Sequence, residues 1–270
     1  MRPTHIRGKI MEAEYIHGTN NEEQRRLSML NEITNDSFIR FLELEGEETI
    51  LDIGSGMGNL ANNIVEKYPK THITGIELSC EQLKKSPKKC NLSFVQGDAS
   101  QLPFENNSFD IVYTRYLLEH VKFPLTVLNE AYRVLKNGGQ LYIQENNILC
   151  MQFYPECQLF MTVWEKFANL QKSLGGDACI GKKLFSFIND TPFKDVQLFI
   201  EPEVHFYGKE TFYYWIENLI ENIQGAKKLL ITNNFCEEEE IQNAIKELIS
   251  FRNNKCAATY FYWNRLKARK

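Results

Sequence analysis

Three features of this 270-residue chain predict an α/β protein built on a mostly parallel sheet. Short apolar runs at Thr49 to Ile53, Ile73 to Ile76, Leu92 to Val95 and Phe109 to Tyr113 alternate with amphipathic stretches of helical period. The first run passes directly into three alternating glycines, Gly54, Gly56 and Gly58, the signature of a strand turning sharply into a helix near Asn59. The second and third runs end on carboxylates, at Glu77 and at Asp98 after Gly97. Parallel strands joined this way need right-handed crossovers.

Taken in order, residues 1–44 form an N-terminal helical lid. After an irregular start, Leu27, Leu30, Ile33, Phe38, Phe41, Leu42 and Leu44 are spaced as two amphipathic helices broken near Asn35. Residues 45–147 carry the alternating strands and helices. Residues 148–270 differ in texture, with Phe153, Phe160, Trp164, Phe167, Tyr207 and Trp215 among many aromatics, and read as a substrate cap plus the final strands of the sheet. Within this part Gln158 to Leu174 is helical and stops at Gly175-Gly176, and Phe193 to Ile200 and Ala257 to Trp263 are strands. Glu237 to Glu240 opens a helix, where its charges suit the positive end of the dipole.

Composition narrows the function classes. With 43% hydrophobic and 24% charged residues the chain can bury a core and is not disordered. A net charge of -4 draws it neither to nucleic acid nor to an anionic membrane, and the basic run Lys84 to Lys89 reads as a solvated loop before the third strand. Seven scattered cysteines, an odd number with no Cys-x-x-Cys pair, argue for reduced thiols rather than disulfides or zinc. No stretch approaches the roughly 20 apolar residues of a membrane span, so a cytoplasmic monomer or homodimer without membrane insertion is expected.

The glycine loop carries the first chemical information. A dinucleotide fingerprint places its third glycine where this chain has Asn59, and Gly58 falls one position early. Asp52, two residues before the first glycine, suits a cationic ammonium or sulfonium better than a pyrophosphate. Glu77 stands where a second strand delivers a carboxylate to two ribose hydroxyls.

Together with these, Leu51 to Gly58, Glu77, Gly97-Asp98-Ala99, Phe109 to Val112, Leu118-Glu-His-Val121 and Arg133 to Gly139 resemble the successive motifs of class I S-adenosylmethionine-dependent methyltransferases. The likeness is to the small-molecule branch that includes the ubiquinone and menaquinone biosynthesis type. Asn137 departs from the proline usual before the Gly-Gly turn, which asparagine also accommodates. The resemblance implies a Rossmann-like sheet of seven strands with the last one antiparallel, S-adenosyl-L-methionine as cofactor with S-adenosyl-L-homocysteine as product, and a small-molecule methyl acceptor.

It also implies roles. Gly54, Ser55 and Gly56 offer backbone to the methionine part and ribose, Glu77 with Leu78 beside it takes the ribose, and Asp98, after Gly97 and with Ala99, takes the adenine. Tyr15 and Arg26 resemble a pair that closes over the cofactor, Arg26 gripping its carboxylate, and Arg115 is a second cation near cofactor or acceptor. His120 reads as a structural group rather than a base. Phe153, Trp164, Tyr207 and Trp215 are candidates for the acceptor pocket. No catalytic residue and no metal is assigned. Three rival readings stand: an RNA or protein methyltransferase, which wants a basic groove or a dedicated tetrad where Tyr113-Thr-Arg-Tyr116 stands; a cofactor-binding scaffold without turnover; and a nicotinamide oxidoreductase, disfavoured by Asn59 and Asp52.

Overall fold

The computed structural model describes residues 34–270. Its parallel strands are β1 (Thr49–Ile53), β2 (His72–Glu77), β3 (Leu92–Gln96), β4 (Phe109–Arg115) and β5 (Leu135–Glu145). They lie in the order β3-β2-β1-β4-β5, so the chain runs outward from β1 to one edge and then restarts on its other side. This reversal opens a crevice at the strands' C-terminal ends. The last strand, β8 (Ala258–Arg269), enters antiparallel beside β5, and β7 (Lys194–Phe206) runs antiparallel along the whole length of β8. A three-residue strand, β6 (Gln152–Tyr154), pairs with the start of β8, beyond the end of β5.

The period-two pattern of the strands sorts the core into two layers. Ile50, Ile111, Tyr113 and Tyr142 face a helix at residues 34–41 (α1) and α2 (Asn59–Lys67). Leu51, Val112, Leu141 and Ile143 face the opposite way, towards α4 (Pro124–Val134) and α6 (Leu184–Asn189). Between these lies the short α3 (Cys80–Leu83). The third cluster is the aromatic one, where α5 (Gln158–Ser173), α7 (Glu210–Thr232) and α8 (Glu238–Arg252) close around Trp164, Trp215, Phe261 and Trp263. Glu237 caps α8 reciprocally with Glu240, the acidic start expected there.

The first of the two expected N-terminal helices, and the approach to the expected break near Asn35, lie outside the described residues; the described helix begins at Thr34 and buries Phe38, Ile39 and Leu42 against the sheet. After β4, Leu118-Glu-His120 forms a 3-10 turn, and α4 starts separately at Pro124. Proline at a first helical position presets its own φ and keeps the residue before it out of the helix. The two last strands are also longer than their apolar cores, since β7 and β8 pair over eleven registers that include charged residues.

Candidate active site

The crevice at the C-terminal ends of β1, β2, β3 and β4 gathers Asp52, Gly54, Ser55, Gly56, Glu77, Leu78, Gly97, Asp98, Ala99 and Arg115, whereas Tyr15 and Arg26 lie outside the described residues. The glycine loop is tied to the neighbouring strand by its own backbone: Gly54 and Ser55 N–H both donate to Ile76 O, at 2.9 and 3.1 Å, and Gly58 N–H closes the turn on Ser55 O at 2.9 Å. All three glycines are left-handed, with φ of 80°, 56° and 76°. At Gly54 a Cβ would also come within 2.9 Å of the Leu117 side chain, so this loop admits no side chain there.

Glu77 is oriented by two backbone donors. Gly56 N–H donates to its Oε2 at 3.0 Å and Ser79 N–H to its Oε1 at 2.8 Å, which leaves each oxygen with acceptor capacity for a diol. Gly97 N–H bonds Glu77 O at 3.1 Å, locking the β3 loop to the β2 end. In that loop Asp98 is exposed and its Oδ1 accepts from Ser100 N–H and Ser100 Oγ, while Ala99 packs on the core. Leu78 is 45% exposed and offers an apolar surface beside Glu77.

Asp52 is buried, and burial pushes its carboxyl up to about 7 against the opposing pull of the Tyr113 hydroxyl and the Arg115 guanidinium. A carboxyl in that state is a ready partner for a cation. Ser55 Oγ is likewise buried without a hydrogen-bond partner among the described residues. Arg115 sits over the rings of Phe38 and Tyr116 at 5.5 and 5.2 Å and reaches Thr34 Oγ1 at 3.4 Å, which joins α1 to the end of β4.

Sequence reasoning missed two further polar groups. At the end of β5, Glu145 Oε1 accepts from Leu117 N–H at 3.0 Å and Leu118 N–H at 2.8 Å, holding the 3-10 turn whose Leu117 covers Gly54. Burial and the neighbouring Glu119 carboxylate drive its own carboxyl well above the usual range. Glu119 in turn accepts from Asn146 and Gln171, and His120 Nε2 lies 3.8 Å from its Oε1. The second group lines the sheet face past Arg115. Arg265 donates to Gln144 at 2.6 Å, Glu201 at 2.8 Å and Ser37 at 2.6 Å, and Gln144 donates to Tyr116 at 2.7 Å. Glu203 and His205 follow on β7, and the alternation of Glu201, Glu203 and His205 with apolar neighbours was the available signal. Trp164 is core: it stacks between Phe160 and Phe167 and donates to Ile148 O at 3.0 Å.

Among the described residues no cluster of His, Cys, Asp and Glu is placed to hold a metal, and no helix is long and apolar enough to cross a membrane. Residues 51–143, from β1 into β5, match the family model of a methyltransferase domain. That stretch resembles a class I S-adenosylmethionine-dependent methyltransferase domain, and the Glu77 carboxylate held by two backbone N–H groups, the left-handed glycine loop and the buried Asp52 are compatible with that cofactor. The chain is similar to the ubiquinone/menaquinone biosynthesis C-methyltransferase of Ruegeria sp., 31% identical over 123 residues that make up 43% of this chain and 49% of the relative. It thus spans about half the length of such relatives. The fold is shared with phosphoethanolamine N-methyltransferase 2 of Haemonchus contortus, solved with phosphomonomethylethanolamine and S-adenosylhomocysteine (TM-score 0.55, 18% identity, 92% of this chain and 52% of that one). It is shared too with the YcgJ protein of Bacillus subtilis (TM-score 0.56, 18% identity, 88% and 98%).

Proposed function

We propose that this protein transfers a methyl group from S-adenosylmethionine to a small-molecule acceptor. The observation that carries the reading is Glu77, turned towards the crevice by Gly56 and Ser79 N–H beside a left-handed glycine loop, with the buried Asp52 carboxyl below it. Glu77 takes the ribose hydroxyls, the Gly54-Ser55-Gly56 backbone lets the cofactor approach, Asp52 faces its ammonium, and Asp98 with Ala99 takes the adenine. By the resemblance, Tyr15 and Arg26, which lie outside the described residues, are the candidates to close over it, and Arg115 is a second cation near cofactor or acceptor. When bound, the cofactor supplies an electrophilic methyl on a sulfonium that is already a good leaving group. The protein then needs to align donor and acceptor, which is worth on the order of 7 to 11 kcal/mol.

A small acceptor is favoured by the aromatic cluster that Tyr116, just past β4, packs against and by a net charge of -4. Calorimetry with S-adenosylmethionine, S-adenosylhomocysteine and NAD tests the cofactor, the first two binding and NAD binding weakly. Incubation of the loaded protein with a library of small molecules, read as the mass gain of one methyl group, tests the activity. Equal or tighter binding of NAD would overturn the reading.

A further inference from the structure

A buried carboxylate and imidazole lie past the end of β4, on the same sheet face as Arg115, Gln144 and Arg265 but outside everything assigned above to the cofactor. Glu203 is 8% exposed and His205 is fully buried. The Trp263 indole N–H donates to Glu203 Oε1 at 3.0 Å, and Glu203 Oε2 lies 3.3 Å from His205 Nε2. His205 is fixed in turn by Thr211 Oγ1, 2.7 Å from Nδ1, and by stacking on Trp215 at 4.5 Å. Burying two ionisable groups in an aromatic layer costs stability. The Trp215 indole N–H beside it is also buried, with no acceptor among the described residues.

Place and surroundings say what the pair can do. Tyr116, the first residue after β4, leans on the Trp263 ring at 4.8 Å, so this wall continues from the Arg115 end of the crevice. The next residue, Leu117, covers Gly54 of the cofactor loop. Tyr116, partly exposed and backed by the buried Trp263, offers its ring as a surface for a flat, apolar molecule. Glu203 has His205, Tyr116 and Arg265 as charged or titratable neighbours, Arg115 acts on Tyr116 and Arg265, and Glu201 is engaged by Arg265. The Arg265 guanidinium near the carboxylate disfavours an acceptor that arrives as an ammonium ion and favours one on which negative charge develops.

We propose that Glu203, oriented by Trp263 and His205, accepts the proton of a planar acceptor bearing a weakly acidic hydroxyl. This rests on the methyltransferase reading. In the step, the acceptor O–H bond breaks with its proton passing to Glu203, and the oxygen pair forms the bond to the methyl carbon. The carbon–sulfur bond breaks at the same time with its pair remaining on sulfur, which becomes the neutral thioether. The proton on Glu203 leaves to solvent after product release.

The test uses two phenols of different acidity, phenol and 4-nitrophenol, with the full chain and S-adenosylmethionine at pH 8. A base matters for an acceptor that is neutral and hardly for one already ionised. Glu203→Gln keeps an oxygen for the Trp263 N–H, and should slow methylation of phenol by about 100-fold and that of 4-nitrophenol by less than about 10-fold. Trp263→Phe should show the same ordering with smaller losses. Affinity for S-adenosylhomocysteine, by calorimetry, and the circular dichroism spectrum should be unchanged in both. Equal losses on the two phenols, no loss, or no methylation of either phenol by wild-type protein that binds S-adenosylhomocysteine would each overturn the proposal. Failure of wild-type protein to bind S-adenosylhomocysteine would instead overturn the methyltransferase reading.

Discussion

At the scale of single residues, two carboxylates of the crevice behave in opposite ways. Glu77 is held by backbone donors and serves as an acceptor, so Glu77→Ala removes the ribose contacts and also releases Gly56 N–H and Ser79 N–H. A loss of roughly 1.5 to 3 kcal/mol in S-adenosylhomocysteine affinity is expected, with native circular dichroism. An unchanged dissociation constant would mean that the carboxylate does not meet the ribose. Asp52 is different because burial raises its carboxyl from 3.8 to about 7. Between these values the native protein holds a proton that the unfolded chain has lost, so stability falls as pH rises through that window, by up to roughly 4 kcal/mol. Denaturant titrations should therefore find Asp52→Asn close to wild type at pH 4 and clearly more stable at pH 8. A cation beside Asp52 favours its ionised form, so cofactor binding below pH 7 should release a proton and strengthen about tenfold per pH unit from pH 5 to 7. Calorimetry in buffers of different ionisation enthalpy reads that proton directly, and the variant should show none.

At the scale of elements, the turn between β4 and α4 is set by β5. Leu117 must cover Gly54, and its backbone is held there by Glu145 across the sheet. Glu145→Ala leaves two N–H groups without their acceptor and should cost about 2 kcal/mol or more in denaturant unfolding. It should also weaken S-adenosylhomocysteine binding, because the cover over the glycine loop loosens. Glu145→Gln, which retains an acceptor oxygen, should recover most of both. Equal damage in the two variants would show that the side chain matters for packing and not for those bonds. The elements nearest the cofactor were legible in the chain: β1, β2 and β3 are bounded by the residues that make their turns, and each is a run of local preference. The extent of β7 was not legible, because its outer part carries Glu201, Glu203 and His205, and only pairing with β8 makes that stretch a strand.

At the scale of the whole molecule, β8 joins the parts. One of its edges pairs with β5, the other with β7 along its full length, and its side chains enter both the sheet core through Leu266 and the aromatic cap through Phe261 and Trp263. Truncation before Ala258 would strip β5 and β7 of their common neighbour and leave two long strand edges open. Such a chain should lose cooperative thermal unfolding and aggregate, and a truncated protein that melts cooperatively near the wild-type temperature would show that the sheet closes without it. The same linkage means that S-adenosylhomocysteine at 100 times its dissociation constant should stabilise the whole protein in one transition, by about 2.7 kcal/mol.

The sequence by itself determined what depends on neighbours along the chain. Alternating apolar runs, the left-handed glycines between β1 and α2, and a carboxylate at the end of β2 are local facts of conformation and chemistry, and they place the cofactor crevice. Tertiary structure alone decided what depends on distant partners. Asp52 became a buried carboxyl near neutrality only because the folded structure takes it out of water, and Trp164 proved to be core only once α5 was packed. Gln144, Glu203, His205, Trp263 and Arg265 meet on one face only because β8 returns antiparallel between β5 and β7. A hydrogen bond across 121 positions, as from Arg265 to Gln144, leaves no periodicity in the chain, since its two ends are brought together by topology and not by local preference.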